Sequence, residues 1–186
     1  MNEDNIYTLH VAGLKRKLPK IKIDEKLTIA SFVMLGDTEL IERTAAAIYE
    51  HPMFPKYNID VLVCPEAKAI PLAHAIAKLL QVNYIVARKS VKSYMSNPVT
   101  EVVTSITTKG EQLLVLDGTD IENIKGRNIC IIDDVVSTGG SIRSLEKLLE
   151  RVGCKVVCKA TVLLEEAGYE GGDLVYLERL PIFITQ

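Results

Sequence analysis

The 186-residue sequence has no long hydrophobic run and little net charge. No apolar stretch approaches the roughly 18 residues that cross a bilayer, and the start MNEDNIYTLH is acidic and polar where a secretory signal is basic and then apolar. We therefore expect a cytoplasmic protein with no membrane partner. The formal charge of −2, from 22 basic and 24 acidic side chains, gives no general attraction to polyanions, which argues against nucleic acid as a partner.

Metal-binding patterns are also missing. The three histidines are scattered, and neither H-E-x-x-H nor a zinc-type Cys/His spacing occurs. The four cysteines form no C-x-x-C pair, and most of them fall within or at the end of apolar runs. We expect buried free thiols at Cys64, Cys130, Cys154 and Cys158, and no structural metal.

Short runs of apolar, β-branched residues alternate with helical patterns along the chain. This alternation is typical of a sheet covered on both faces. It predicts an α/β fold, with an open, mainly parallel twisted sheet and helices on both faces. The segment DTELIERTAAAIYE, 37–50, predicts an amphipathic helix capped by Asp37. Further helices are expected at 72–80 and 142–152, and strands at 59–64, 83–87, 128–132 and 156–164.

We expect the whole chain to form one domain with three parts. Residues 1–58 should supply a helix and a hood, residues 59–165 the core sheet, and residues 166–186 a C-terminal hood or edge strand. Residues 99–106 and 112–116 are expected to be the strands of a mobile hairpin, because the intervening TTKG carries a turn-forming glycine.

The stretch ICIIDDVVSTGGS, 129–141, is the strongest functional signal in the sequence. A buried strand followed by a helix places its last residues at the carboxyl end of the sheet, where open α/β folds bind ligands. Neighbours on an extended strand point to opposite faces, so Asp133 and Asp134 need not do the same work. One carboxylate is suited to a pair of hydroxyls or a hydrated metal, and the other to orienting it.

The small residues of 137–141 lead into a helix whose first N–H groups lack backbone partners. Glycine lets that backbone approach a ligand closely, so the loop is suited to an anion. It contains no lysine, so it is not a Walker A motif, and no G-x-G-x-x-G is present. The combined pattern favours a site for a phosphate that also carries hydroxyls over the alternative of an ordinary capped loop.

The motif IIDDVVSTGGS resembles the site at which type I phosphoribosyltransferases bind 5-phosphoribosyl-1-pyrophosphate. In that family a hydrophobic strand and two acidic residues precede a T-G-G-[ST]-like loop. The resemblance implies that Asp133 and Asp134 are the catalytic pair at the ribose hydroxyls, and that residues 137–141 hold the 5′-phosphate. The residues implied for ribose and 5′-phosphate are Asp133, Asp134, Val135, Val136, Ser137, Thr138, Gly139, Gly140 and Ser141.

Two further segments extend the resemblance over roughly residues 59–186. PEAKA, 65–69, is similar to the family's pyrophosphate loop, with lysine where arginine is frequent, and VARKSVKSYM matches a basic turn of related enzymes. Arginine binds such an anion bidentately and lysine supplies point charges, whereas the alternative for the turn is an ordinary solvated basic loop. The residues implied for pyrophosphate are Glu66, Ala67, Lys68, Arg88, Lys89 and Lys92.

The resemblance also implies a reaction. In the family a nucleobase nitrogen joins C1 of the sugar and pyrophosphate leaves, with Mg²⁺ carried by the substrate and not by protein side chains. Positioning and electrostatics should dominate catalysis, and the excursion around 99–112 should close over the site and exclude water. A homodimer acting in purine salvage is expected on the same ground.

The base is less clearly indicated. Residues 87–118 resemble xanthine phosphoribosyltransferases and purine-repressor effector domains, whereas STGGS and LERLPIF resemble adenine phosphoribosyltransferases. We rank adenine first, xanthine or hypoxanthine/guanine next and orotate third. A non-enzymatic regulator of purine genes that binds the same phosphosugar is the remaining alternative, although GLKRKLPKIK shows no helix-turn-helix pattern.

Candidate base-side residues follow from the same resemblance. We expect contacts around Leu164–Glu166 and from the N-terminal hood. Phe32 is either a stacking residue or part of the core. Glu101 and Glu111 are the nearby carboxylates considered for an acid role, and neither fits the family pattern cleanly.

Overall fold

The structure, a computed structural model, describes residues 5–103 and 112–184. The strands are β1 Ile6–Val11, β2 Leu14–Lys22, β3 Leu27–Ala30, β4 Val61–Pro65, β5 Asn83–Ala87, β6 Val99–Val103, β7 Gln112–Leu116, β8 Asn128–Val136, β9 Lys155–Glu165, β10 Leu174–Leu180 and β11 Ile182–Ile184. The α-helices are α1 Thr38–Tyr49, α2 Ile70–Leu80, α3 Gly118–Ile124 and α4 Gly140–Arg151. No helix among the described residues is long and apolar enough to cross a bilayer.

A five-stranded sheet in the order β10-β9-β8-β4-β5 forms the centre of the molecule. Every pair of neighbours in it runs parallel, which confirms the predicted α/β class. Strand β8 lies in the middle, and its residues 129–132 are completely buried. Its apolar run is continuous because helices cover both faces of the sheet at this point.

The two faces of the sheet carry separate hydrophobic clusters. Helices α1 and α2 cover one face, where Leu62 and Ile76 are fully buried. Helices α3 and α4 and the β6–β7 hairpin cover the other, where Ile131 packs with Leu145. Helix α1 confirms its predicted cap, since the Asp37 side chain accepts from the Leu40 N–H at 3.1 Å.

A second sheet, in the order β1-β2-β3-β11, joins the two ends of the chain. Its pairs are antiparallel, with β11 against β3, and its inner residues Leu9, Leu18 and Ala30 pack with the α1–α2 cluster. The sequence did not predict these strands. The alternation of β2 is hard to recognise because Arg16 and Lys20 lie on the same, inward side of the strand as Leu18. Arg16 pairs with Asp37, and Lys20 lies over the Phe183 ring.

The hairpin strands, the edge strand and the cysteines follow the predictions, whereas the short helix α3 was not predicted. Strands β6 and β7 pair antiparallel, from Val99 opposite Leu116 to Val103 opposite Gln112, and the predicted turn between them lies outside the described residues. Strand β10 is the expected edge strand beside β9. All four cysteines are free and buried, as predicted.

Two positions on α2 test this account of the core. Ile76 is fully buried, whereas Leu79 is 42% exposed on the same helix. We expect Ile76→Ala to lower the free energy of unfolding by about 2–5 kcal/mol, because it leaves a cavity between helix and sheet. Leu79→Ala should change it by less than about 1 kcal/mol. Urea denaturation of both variants measures the difference, and equal losses would contradict the assignment of the core face.

Candidate active site

Four segments meet in a cleft of about 220 Å³ at the carboxyl end of the central sheet. Because β4, β5 and β8 are parallel, the loops that follow them open at the same edge. The hairpin closes one side of the cleft. The cleft is lined by residues 65–69, Lys89, Val103, residues 112–114, residues 133–135 and Ser141.

A second cleft, of about 170 Å³, is continuous with the first around the start of α4. Gln112, Asp133, Val135 and Ser141 line both. The rest of the second cleft is formed by Val136, Ser137, Thr138, Gly139, Gly140 and Ile142. The structure thus brings the whole 133–141 motif to one edge of the sheet, together with Glu66, Ala67, Lys68 and Lys89.

The two carboxylates lie within β8, because this strand continues four residues beyond its predicted end. Asp133 pairs in register with Thr161 of β9, and only 9% of Asp133 and 8% of Asp134 is exposed. Both residues line the first cleft.

The environment of Asp133 favours its protonated form. The Asp134 N–H donates to Asp133 Oδ1 at 2.9 Å. Burial raises the pKa of Asp133 well above its usual range, and the neighbouring Asp134 carboxylate raises it further, while the positive charge of Lys89 acts in the opposite direction. A ligand that places a cation or a hydroxyl donor beside Asp133 would therefore stabilise its ionised carboxylate.

The loop 137–141 presents its backbone to the second cleft. Gly139 has a φ of +81°, and α4 begins at the next residue. A Cβ at position 139 would overlap the Tyr169 ring, so only glycine fits there. The Arg143 Nη2 donates to the Thr138 carbonyl at 2.6 Å. Free N–H groups at the start of this twelve-residue helix are suited to an anion.

The pyrophosphate-loop residues Ala67 and Lys68 connect β4 to α2, and the Glu66–Ala67 peptide bond is cis. Glu66 ties this loop to the basic turn: its Oε2 accepts from the Lys89 N–H at 3.0 Å, and its Oε1 lies 3.3 Å from Arg88 Nη2. The pKa of Glu66 is lowered, first by the Lys89 N–H and then by the charges of Arg88, Lys92 and Lys89. The carboxylate is therefore charged and holds the cations together.

The basic turn divides into residues that line the cleft and residues that do not. Lys89 lines it beside Lys68. Arg88 and Lys92 are not among the lining residues: Arg88 pairs with Glu66, and Lys92 Nζ donates to Ser90 Oγ at 2.6 Å. Arg88 and Lys92 line neither cleft, and their direct contact with pyrophosphate stays a prediction.

Glu101 is not placed as an acid for the reaction. Its carboxylate accepts from Lys147 Nζ at 2.7 Å and from Arg151 Nη1 at 2.9 Å, both on α4. The Lys147 hydrogen bond lowers the pKa of Glu101 and keeps it ionised. The side chain therefore anchors the hairpin to α4. Glu111 lies outside the described residues.

The residues expected to contact the base do not line the two clefts. Phe32 is 5% exposed and belongs to the α1–α2 core cluster, so the core alternative is the correct one. Leu164–Glu166 lines neither cleft. The sequence missed Gln112, which lines both clefts from the hairpin. Its only signal was its place at the start of the second hairpin strand.

No group of three or more His, Cys, Asp or Glu side chains among residues 5–103 and 112–184 is arranged to hold a metal ion. The carboxylate oxygens of Asp133 and Asp134 are nevertheless hard ligands of the kind that Mg²⁺ accepts. The residues present therefore fit Mg²⁺, and the way in which the ion is bound stays a prediction.

Comparison with known proteins identifies the class to which this fold and candidate site belong. Residues 35–175 match the phosphoribosyl transferase domain family. A hypoxanthine/guanine phosphoribosyltransferase from Methanococcus voltae is 37% identical over 100 residues, 54% of this chain and 50% of the relative. An adenine phosphoribosyltransferase from Clostridium acetobutylicum is 32% identical over 140 residues, 73% of this chain and 78% of the relative.

The fold agrees as well. The crystal structure of adenine phosphoribosyltransferase from Thermoanaerobacter pseudethanolicus superposes with a TM-score of 0.68 at 19% identity, covering 95% of this chain and 96% of that one. The match to the Methanococcus relative, by contrast, spans only half of that protein's length. The chain belongs to the phosphoribosyltransferase family, on its type I purine branch.

The raised pKa of Asp133 leads to a prediction about stability. Because the folded chain releases this proton at a higher pH than the unfolded chain, the contribution of Asp133 to the free energy of unfolding falls as the pH rises above about 3.9. Asp133→Asn keeps an oxygen that accepts from the Asp134 N–H and removes the titration. We expect the stability of the variant relative to the wild type to increase from pH 4 to pH 7. Urea denaturation at both pH values measures this gain, and a pH-independent difference would contradict it.

Proposed function

We propose that this chain transfers the 5-phosphoribosyl group from 5-phosphoribosyl-1-pyrophosphate to a purine base, with release of pyrophosphate. One observation carries the proposal: the acidic pair Asp133 and Asp134 lies in one cleft with Lys68 and Lys89, and that cleft continues into the loop 137–141. The cleft thus offers a place for an anion at each end and for hydroxyls between them.

Each part of the donor substrate matches a part of this cleft. The 5′-phosphate takes the N–H groups of 137–141, where glycine at 139 allows the closest approach. The ribose hydroxyls donate hydrogen bonds to Asp133 and Asp134. These bonds replace the hydrogen bonds from water that the carboxylates lose on burial. The pyrophosphate lies against Lys68 and Lys89, since a polyanion needs point charges on that side.

The leaving group accumulates negative charge as the bond to C1 breaks, and the side chains facing it are already positioned. Glu66 keeps the basic turn folded against the pyrophosphate loop, so Lys89 pays little reorganisation cost when the charge develops. Mg²⁺ bound with the substrate would neutralise part of the same charge. The hairpin residues Val103 and Leu114 add an apolar wall that excludes water from C1.

Adenine is the proposed base, with xanthine or hypoxanthine/guanine as the alternatives. The motif STGGS and the ending LERLPIF support adenine, and relatives of both the adenine and the hypoxanthine/guanine type resemble this chain. A homodimer, expected from the family resemblance, belongs to the same proposal. Sedimentation equilibrium tests it directly.

The proposed activity is tested with the purified protein, the phosphosugar and Mg²⁺. Adenine, xanthine, hypoxanthine, guanine and orotate are supplied separately, and nucleotide formation is followed by absorbance. We expect turnover with adenine to exceed that with every other base. Faster turnover of an oxopurine would reassign the base, and tight phosphosugar binding without any turnover would favour the regulator in place of the enzyme.

The pyrophosphate assignment leads to a second kinetic prediction. Lys89→Met keeps the backbone N–H that binds Glu66 and removes the charge in the cleft. We expect the KM for pyrophosphate in the reverse reaction to rise about tenfold or more, because a charged hydrogen bond is lost. The KM for the nucleotide should rise much less.

Lys78→Met is the matched control, because Lys78 is exposed on α2 and lines neither cleft. It should leave both constants unchanged. Equal increases for pyrophosphate and nucleotide in Lys89→Met would show that Lys89 supports the fold instead of meeting the leaving group.

A further inference from the structure

Tyr169 packs against the loop 137–141 at Gly139. A Cβ built on Gly139 would overlap the Cδ2 of its ring and lie 2.6 Å from its Cε2. Gly171 is equally close, since a Cβ there would overlap the Tyr169 hydroxyl end. The ring therefore lies between two glycines, one in the loop of the site and one in the connection between β9 and β10.

A second contact joins the same ring to the loop. The Arg143 guanidinium carbon lies 5.7 Å from the centroid of the Tyr169 ring, and Arg143 Nη2 donates to the Thr138 carbonyl at 2.6 Å. A cation over an aromatic face is attracted to it. Tyr169 therefore restrains two consecutive residues of the loop, Gly139 by direct packing and Thr138 through Arg143.

A buried ion-pair network holds the segment that carries Tyr169. Lys159 of β9 is 6% exposed, and its Nζ lies 2.9 Å from Glu146 of α4 and 2.7 Å from Asp173. Asp173 is the last residue of the connection between β9 and β10, so this network ties that end of the connection to β9 and, through Lys159, to α4. Since the loop 137–141 leads into α4, ring and loop share one rigid support.

We propose that Tyr169 is a positioning residue, which keeps the loop 137–141 in the backbone conformation that receives a 5′-phosphate. The inference rests on the proposed function. Tyr169 lines neither cleft, so it acts through Gly139 and Arg143 and not on the substrate. Its role follows from the geometry of the loop: N–H groups bind phosphate well only when they are held in place before the ligand arrives.

Isothermal titration of the full chain with ribose 5-phosphate and, separately, with Mg²⁺ and pyrophosphate tests this role. We expect Tyr169→Ala to weaken ribose 5-phosphate about tenfold, because the loop loses its support. Pyrophosphate affinity should not change, since Lys68 and Lys89 lie beyond the contacts of this ring. Tyr169→Phe should restore wild-type binding, because the ring and not the hydroxyl packs on Gly139.

Two further variants separate positioning from general damage. Tyr176 packs on the same hydrophobic cluster, beside Arg179 and away from the loop, so Tyr176→Ala should leave both affinities unchanged. Tyr169→Leu keeps an apolar side chain in place of the ring and serves if Tyr169→Ala does not fold. It should weaken ribose 5-phosphate selectively, in the same way as Tyr169→Ala.

The outcomes distinguish this inference from the function on which it rests. A wild-type protein that binds neither ribose 5-phosphate nor the phosphosugar would overturn the proposed function itself. Wild-type binding of ribose 5-phosphate that Tyr169→Ala and Tyr169→Leu retain in full would overturn only the role of Tyr169. Equal weakening of both ligands, or failure of Tyr169→Phe to restore binding, would also reject it.

Discussion

Burial of two adjacent carboxylates at the end of the central strand is the constraint on which the site depends. Asp133 and Asp134 are carried into the interior by an apolar strand that needs cover on both faces. Burial destabilises the ionised form of a carboxylate unless a cation or a hydrogen-bond donor takes the place of the lost water. The Asp134 N–H and the charge of Lys89 supply part of that compensation, and a sugar with hydroxyls would supply the rest.

The charged side chains around the site are organised by mutual pairing. Glu66 holds the basic turn, Glu101 holds the hairpin to α4, and Lys159 holds the connection after β9. The Glu66 contact joins two loops, whereas the other two contacts tie the hairpin to α4 and the connection to β9. Lys68 and Lys89 remain directed to the cleft. Preorganised charges of this kind are what phosphoryl and pyrophosphate chemistry requires.

Strands and helices whose buried residues follow a simple apolar pattern were predicted from the sequence. Strands whose inward positions mix apolar and charged side chains were not. The central strands and α4 were predicted because their apolar residues are continuous or recur with helical spacing. The strand β2 was missed because Arg16 and Lys20 occupy its inward positions, with their charges satisfied by Asp37 and the Phe183 ring. Arg88 and Glu101 looked equally available from the sequence, yet both are engaged in ion pairs.

The sequence by itself determined the 129–141 part of the candidate site, because strand, acidic pair and glycine loop are contiguous and their chemistry is local. Only the tertiary structure decided which distant residues join them. Lys89 reaches the cleft and Arg88 does not, since Glu66 holds the arginine. Gln112 enters from the hairpin, and Tyr169 supports Gly139 from a loop thirty residues away. These choices depend on packing between parallel strands and their crossovers, which no local pattern encodes.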